Sequence, residues 1–201
     1  MTPKEAFEYA EQYGPSDKTR EIACEHPEFA YLYAENIDKY PRGDTRQAAC
    51  KNSLWAYYYA AFIDKYPEKN TRKAACKSTF FAYSYAKHVD KCPQDYTRKA
   101  ACRSANQAYN YAYDVDKEPR NDTREAACKN HKFAYLYALY VDKKSMDDTR
   151  NAVCKKPKYA YEYAKNIDKE PRIETWMAVK NTEYENKYKK LFNNLIKELI
   201  I

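Results

Sequence analysis

Cysteine, aspartate and tyrosine are the residues through which this chain of 201 could do chemistry, and all three return at fixed places. Six of seven cysteines, Cys24, Cys50, Cys76, Cys102, Cys128 and Cys154, stand 26 residues apart. Thiols in such number invite zinc or disulfides. No C-x-x-C pair is present to argue for zinc, and equivalent places in stacked repeats lie roughly 10 Å apart, beyond the roughly 7 Å reach of a disulfide. The expectation is a ladder of small buried hydrophobes in a reducing compartment, with Cys92, next to Pro93, outside it as a loop thiol.

The carboxylates Asp38, Asp64, Asp90, Asp116, Asp142 and Asp168 return at the same interval. Each falls in the last turn of a predicted helix, where the macrodipole disfavours negative charge. The equally recurrent Arg20, Arg46, Arg72, Arg98, Arg124 and Arg150 are the expected counter-charges, in a ladder of pairs between hairpins. A repeating scaffold element is not a unique, tuned site, so no catalytic residue is expected and the chain reads as a non-enzyme. His26, His88 and His131 share no repeat place and form no ligand spacing, so neither metal nor other cofactor is expected.

Of 23 tyrosines, 12 lie in an Ala-Tyr-x-Tyr-Ala motif written six times, from Tyr31 and Tyr33 to Tyr161 and Tyr163. Aromatic platforms stack on single-stranded nucleic acid, and helical repeats can read one base each. Helical phase argues for core packing instead. Taking 100° per residue, the second Tyr, both Ala residues and the following Ile or Val fall within one arc of about 140°, with the first Tyr at its edge.

The elements that must position these residues follow from the period. Thr19, Thr45, Thr71, Thr97, Thr123, Thr149 and Thr175 mark successive copies. A first helix is predicted from each Thr to just past the Cys, with Thr or the preceding Asp as N-cap. A second begins near Pro27, Ser53, Thr79 or Pro157 and ends at Asp-Lys before a Pro. Two helices this short cannot bury their apolar faces alone, so neighbours must stack. The expected fold is all-α: an α-solenoid of short αα-hairpin repeats, one domain over 1–201. Residues 1–18 form an N-terminal capping helix, 19–174 six repeats, and 175–201 a degenerate copy and a C-terminal capping helix. Residues 183–201 carry Leu191, Phe192, Leu195, Ile196, Leu199 and Ile200 at helical spacing. They read first as a cap, with a homodimerisation helix and a membrane-surface segment as alternatives. Two glycines, Gly14 and Gly43, nearly exclude phosphate loops, Rossmann turns and hairpin-rich sheets.

No run approaches the roughly 20 apolar residues of a membrane span, and the polar start is unlike a signal peptide, so a cytoplasmic protein is expected. Net charge is +7, with four basic and nine acidic residues in 1–40 against fourteen and seven in 45–120. A basic stripe of Lys51, Arg72, Lys73, Lys77, Arg98, Lys99, Arg103 and Lys129 is the candidate contact surface for an acidic protein or a phosphate backbone. Apolar contact candidates are Tyr58, Phe62, Leu136, Leu139 and Tyr140, which could equally be buried between neighbouring second helices.

The string DTR-x-A-A-C-K, then A-Y-x-Y-A-x-x-V-D-K, fullest from Asp122 to Lys143, resembles a class of tandem helical repeats in uncharacterised, often bacteriophage-encoded proteins. The resemblance covers 19–174 and carries no catalytic residues. It implies a viral protein in the host cytoplasm that grips a host factor such as a defence component. Ser145 in place of Pro and the Trp176 copy depart from the pattern. The expected function is a non-enzymatic binding protein for a protein partner, with nucleic-acid binding through residues 45–120 as the alternative.

Overall fold

The computed structural model describes residues 1–193 and 195. They form an all-helical α-solenoid of hairpins, with no strand among them. Ile196, Leu199 and Ile200 of the expected C-terminal helix lie outside the described residues.

Helix α1 (Pro3–Tyr13) opens the chain; Thr2 and Glu5 form a capping box, and Gly14 closes it at φ 94°. Paired helices follow: α2 (Asp17–Ala23) with α3 (Pro27–Leu32), α4 (Gly43–Ala49) with α5 (Ser53–Tyr58), and α6 (Lys69–Ala75) with α7 (Thr79–Tyr85). Next come α8 (Asp95–Ala101) and α9 (Ala105–Tyr111), α10 (Asn121–Ala127) and α11 (His131–Tyr137), and α12 (Asp147–Val153) and α13 (Pro157–Tyr163). The chain ends in α14 (Ile173–Val179) and α15 (Glu185–Phe192). Packing divides it into two compact units, Met1–Ala101 and Cys102 onward.

The second helices start where Pro, Ser and Thr suit a first turn; Asn52, Ser78 and Asn130 cap α5, α7 and α11 from the preceding residue. The first helices begin earlier than expected. Thr19 and Thr45 are third residues of their helices rather than N-caps, because their hydroxyls are turned inward. The second helices do not stop at the motif. Each continues into a π-helical turn, such as Tyr59–Asp64 and Ala138–Asp142, and ends on a lysine in the left-handed region. In Lys39, Lys65, Lys117 and Lys169 the N–H reaches back five residues to an alanine carbonyl, at 2.8–2.9 Å. Lysine thus occupies the place glycine usually fills after a helix.

Small residues let the helices close on one another. An alanine of one second helix, a small residue of the next first helix and the next motif tyrosine make each layer of core. In the first unit these layers are Ala10, Ala23 and Tyr33, then Ala34, Ala49 and Tyr59, then Ala60, Ala75 and Tyr85. In the second they are Ala112, Ala127 and Tyr137, then Ala138, Val153 and Tyr163, then Ala164, Val179 and Tyr188. Tyr188 belongs to the degenerate seventh copy and sits 13 rather than 14 residues after its Thr, an offset that hides it in the sequence. Helix α15 covers the end of the second unit by burying Tyr188 and Phe192 against Trp176.

Candidate functional site

The recurrent polar residues bond to one another inside the hairpins. Tyr59 is fully buried; its hydroxyl lies 2.8 Å from Thr45 Oγ1 and accepts the Arg42 backbone N–H at 2.9 Å. The same pair of bonds holds Tyr33, Tyr85, Tyr137, Tyr163 and Tyr188. No face of these rings is left for a base to stack on.

The Arg–Asp ladder exists, but within hairpins and not between them. Arg20 pairs with Asp38, Arg46 with Asp64, Arg72 with Asp90, Arg124 with Asp142 and Arg150 with Asp168, at 2.6–3.1 Å. Each fork uses Nε and Nη2, and in four of the pairs the guanidinium also lies over the buried tyrosine of its own repeat, at 5.4–5.7 Å. Eighteen residues separate the partners, so the pair ties the start of one hairpin to the end of that hairpin. Burial pushes the Asp64 and Asp90 carboxyls above their ordinary range, against the pull of their arginines. In the sixth repeat Ser145, which replaces Pro, joins the network: its hydroxyl donates to Asp168 at 2.5 Å and accepts from Arg150 Nη2 at 2.6 Å.

Of the basic stripe, Arg98 leaves the surface and Arg72 is engaged with a quarter of its side chain still exposed. Arg98 is 4% exposed and ion-pairs with Asp95, and Arg72 is held by Asp90. Lys51, Lys73, Lys77, Lys99, Arg103 and Lys129 are exposed. The cysteines cap the first helices; Cys76 is buried, and five others of the ladder are half-buried rather than fully enclosed. Burial pushes the Cys24, Cys50, Cys128 and Cys154 thiols up to about 11, which keeps them protonated and poorly nucleophilic. Cys92 is exposed.

Of the apolar candidates, Phe62 is 54% and Tyr140 47% exposed, while Tyr58, Leu136 and Leu139 are half-buried. Tyr58 bridges Phe62 to Tyr31 in the first unit, with ring centroids 5.8 and 6.0 Å apart. In the second, exposed Tyr113 meets Tyr140 edge-on at 6.2 Å over a hollow of about 350 Å³.

The remaining Arg edge, Nη1, separates the repeats. In four it bonds to the residue three places earlier: Arg20 to Asp17 at 2.8 Å, Arg98 to Asp95 at 2.5 Å, Arg124 to Asn121 at 3.0 Å and Arg150 to Asp147 at 2.7 Å. That place is Gly43 before Arg46 and Lys69 before Arg72, neither of which can accept. The Arg46 and Arg72 side chains are accordingly 20% and 25% exposed, against 5–9% for the other four. Arg46 and Gly43 line a hollow of about 430 Å³ between α4 and α6, walled by Lys73 and Lys77. Arg72, Lys69 and Lys73 line a second, with Tyr96. This signal stood in the sequence at one place per repeat and was missed because that place looked like connecting loop.

No family model, curated protein or solved structure matches the chain. No helix among the described residues is long and apolar enough to cross a membrane.

Proposed function

We propose that this protein is a non-enzymatic α-solenoid that grips a partner protein through the surface left over from stacking. The observation that carries the reading is the division of labour within the repeat. Recurrent Thr, Tyr, Arg and Asp are bound to one another inside five of the six hairpins, whereas variable places expose aromatic rings, Phe62 in the first unit and Tyr140 in the second. Exposed aromatics in mutual contact make rigid anchors for a protein interface. Fork-bonded carboxylates and protonated thiols support a non-catalytic role. The resemblance to phage-encoded repeats would make the partner a host component.

The test is capture from lysate with tagged full-length chain, with and without nuclease, alongside Phe62→Ser and Tyr140→Ser variants whose helicity is checked by circular dichroism. A protein retained after nuclease and lost from either variant supports the reading. Recovery that disappears with nuclease, or equal recovery by all three chains, refutes it.

A further inference from the structure

The hollow between α4 and α6 is a place where a side chain of the chain itself is missing. In four repeats an Asp or Asn, three residues before the recurrent Arg, puts an oxygen on Nη1 at 2.5–3.0 Å; three of those four oxygens are carboxylate. At Arg46 that residue is Gly43, and among the described residues no side-chain acceptor meets Nη1, because the bonds of this guanidinium go to Asp64 alone. Space for an occupant is present: a Cβ built at Gly43 would have nothing within 4 Å. The neighbouring repeat adds Lys73 and Lys77 to the walls and Asn70 where three of the later copies carry Asp122, Asp148 and Glu174. One repeat on, Arg72 has Lys69 in place of the acceptor, and Lys73 lines both hollows.

The geometry points to a carboxylate-binding site on Arg46 and Arg72, filled by acidic side chains of the partner protein in the position that Asp17, Asp95 and Asp147 occupy in their own repeats. This rests on the protein-binding reading above and supplies the chemistry of the partner: an acidic segment presenting Asp or Glu. The carboxylate is the occupant because the chain displays that pairing three times with its own aspartates. An Arg fork already half engaged by Asp64 offers one N–H edge, which a single carboxylate oxygen satisfies. In these two repeats the edge is left to water, which a charged acceptor displaces in favour of a stronger bond. Lys73 and Lys77 raise the local potential and speed encounter with an anionic chain.

The probe is a fluorescein-labelled decaglutamate peptide, with a labelled twenty-nucleotide oligothymidylate beside it, titrated with full-length protein in 20 mM salt and followed by anisotropy. Gly43→Asp and Lys69→Asp would plug the two edges from within, as the other repeats do. The double variant is expected to keep its helicity, melt at the same or a higher temperature, and bind the peptide at least tenfold more weakly. Asn121→Asp in the second unit, which replaces one plug by another, is expected to bind as the parent does. Peptide binding equal in parent and double variant, or none in the parent, overturns the proposal. So does tighter binding of the oligonucleotide that the plugs abolish, which would assign the site to a phosphate backbone. Phe62→Ser leaves the plugs untouched, so loss of the captured partner in that variant with intact peptide binding tests the general reading separately.

Discussion

The hollow between α4 and α6 and the one between α10 and α12 are made from the same repeat places, three repeats apart, yet they differ in charge. The first is lined by Gly43, Arg46, Gln47, Cys50, Asn70, Lys73, Ala74 and Lys77, three cations with no carboxylate. Its counterpart replaces Gly43 by Asn121, Gln47 by Glu125, Asn70 by Asp148 and Lys73 by Asn151, leaving two cations and two carboxylates. Arg46 and Arg124, Cys50 and Cys128, Ala74 and Ala152, and Lys77 and Lys155 are unchanged. Every change falls on a place that faces solvent; the residues that build the hairpin stay, and so does the exposed lysine. Screening confines each exposed charge to about 8–10 Å at physiological salt, so the lining, and not the net charge of the chain, sets the potential in each hollow.

The comparison breaks hardest at the ion pairs. Asp142→Ala strands Arg124, whose side chain is 9% exposed and pinned by Asn121, in a buried setting. The expected loss is about 3–5 kcal/mol in urea unfolding followed by circular dichroism. Asp64→Ala strands Arg46, which already shows an edge to water, and the expected loss is nearer about 2 kcal/mol. Equal losses would mean that the open edge of Arg46 is not hydrated and that the two hairpins are energetically alike.

The tyrosines should behave in the opposite way, identically in both units. Tyr59→Phe and Tyr137→Phe each strand a backbone N–H, held at 2.9 Å in one and 3.0 Å in the other, and leave the threonine hydroxyl only its backbone carbonyl. Each is expected to cost about 1–3 kcal/mol in the same denaturation. A clear inequality would show that the difference between the units reaches the core and is not confined to the surface.

A charge exchange sharpens the comparison directly. Asn121→Gly, Glu125→Gln, Asp148→Asn and Asn151→Lys together rebuild the first hollow in the second unit. Decaglutamate affinity is expected to rise about tenfold, or about 1.4 kcal/mol, and the gain to fade as salt is raised. No gain in the fourfold variant would show that the shape of the first unit, rather than its lining, makes the site.

Periodicity carried most of the fold, because the hairpins close on themselves through Thr, Tyr, Arg and Asp and stack on their neighbours through Ala and Tyr. The placement of Tyr33 and Tyr59 inside the apolar arc followed from helical phase alone. Pairing of Arg with Asp followed from charge, but its position within one hairpin is set by the fold, since an interval of 18 residues and one of 8 to the next repeat read equally well along the chain. The threonine took an interior role because its hydroxyl meets the tyrosine while donating to the carbonyl of the residue before the helix, a bond that a third residue and not an N-cap can make. Gly43 and Lys69 were invisible as site residues for a different reason. What they contribute is the lack of an acceptor, and a missing group has meaning only beside the repeats that possess it.

The smallest expected effect concerns the lysines that end every second helix. Lys65 in the first unit and Lys143 in the second sit at φ 61° and 54°, where a residue with a Cβ costs about 1–2 kcal/mol. Glycine would remove that cost, but its freer unfolded chain takes back about 0.5–1 kcal/mol. It would also delete a cation beside a helix C-terminus, where positive charge contributes about 0.3–1 kcal/mol at low salt. The three terms nearly cancel in dilute buffer, so Lys65→Gly and Lys143→Gly should melt close to the parent there. In 1 M salt the dipole term is screened, and each variant should gain about 0.5 kcal/mol, a rise of roughly 1–2 °C for a chain of this size. Glycine variants that stay less stable at high salt would show that the lysine stems pack on the π-helical turn, since screening leaves packing untouched. A gain in only one unit would locate that packing in the other and extend the contrast between the two hollows to the opposite end of the hairpin.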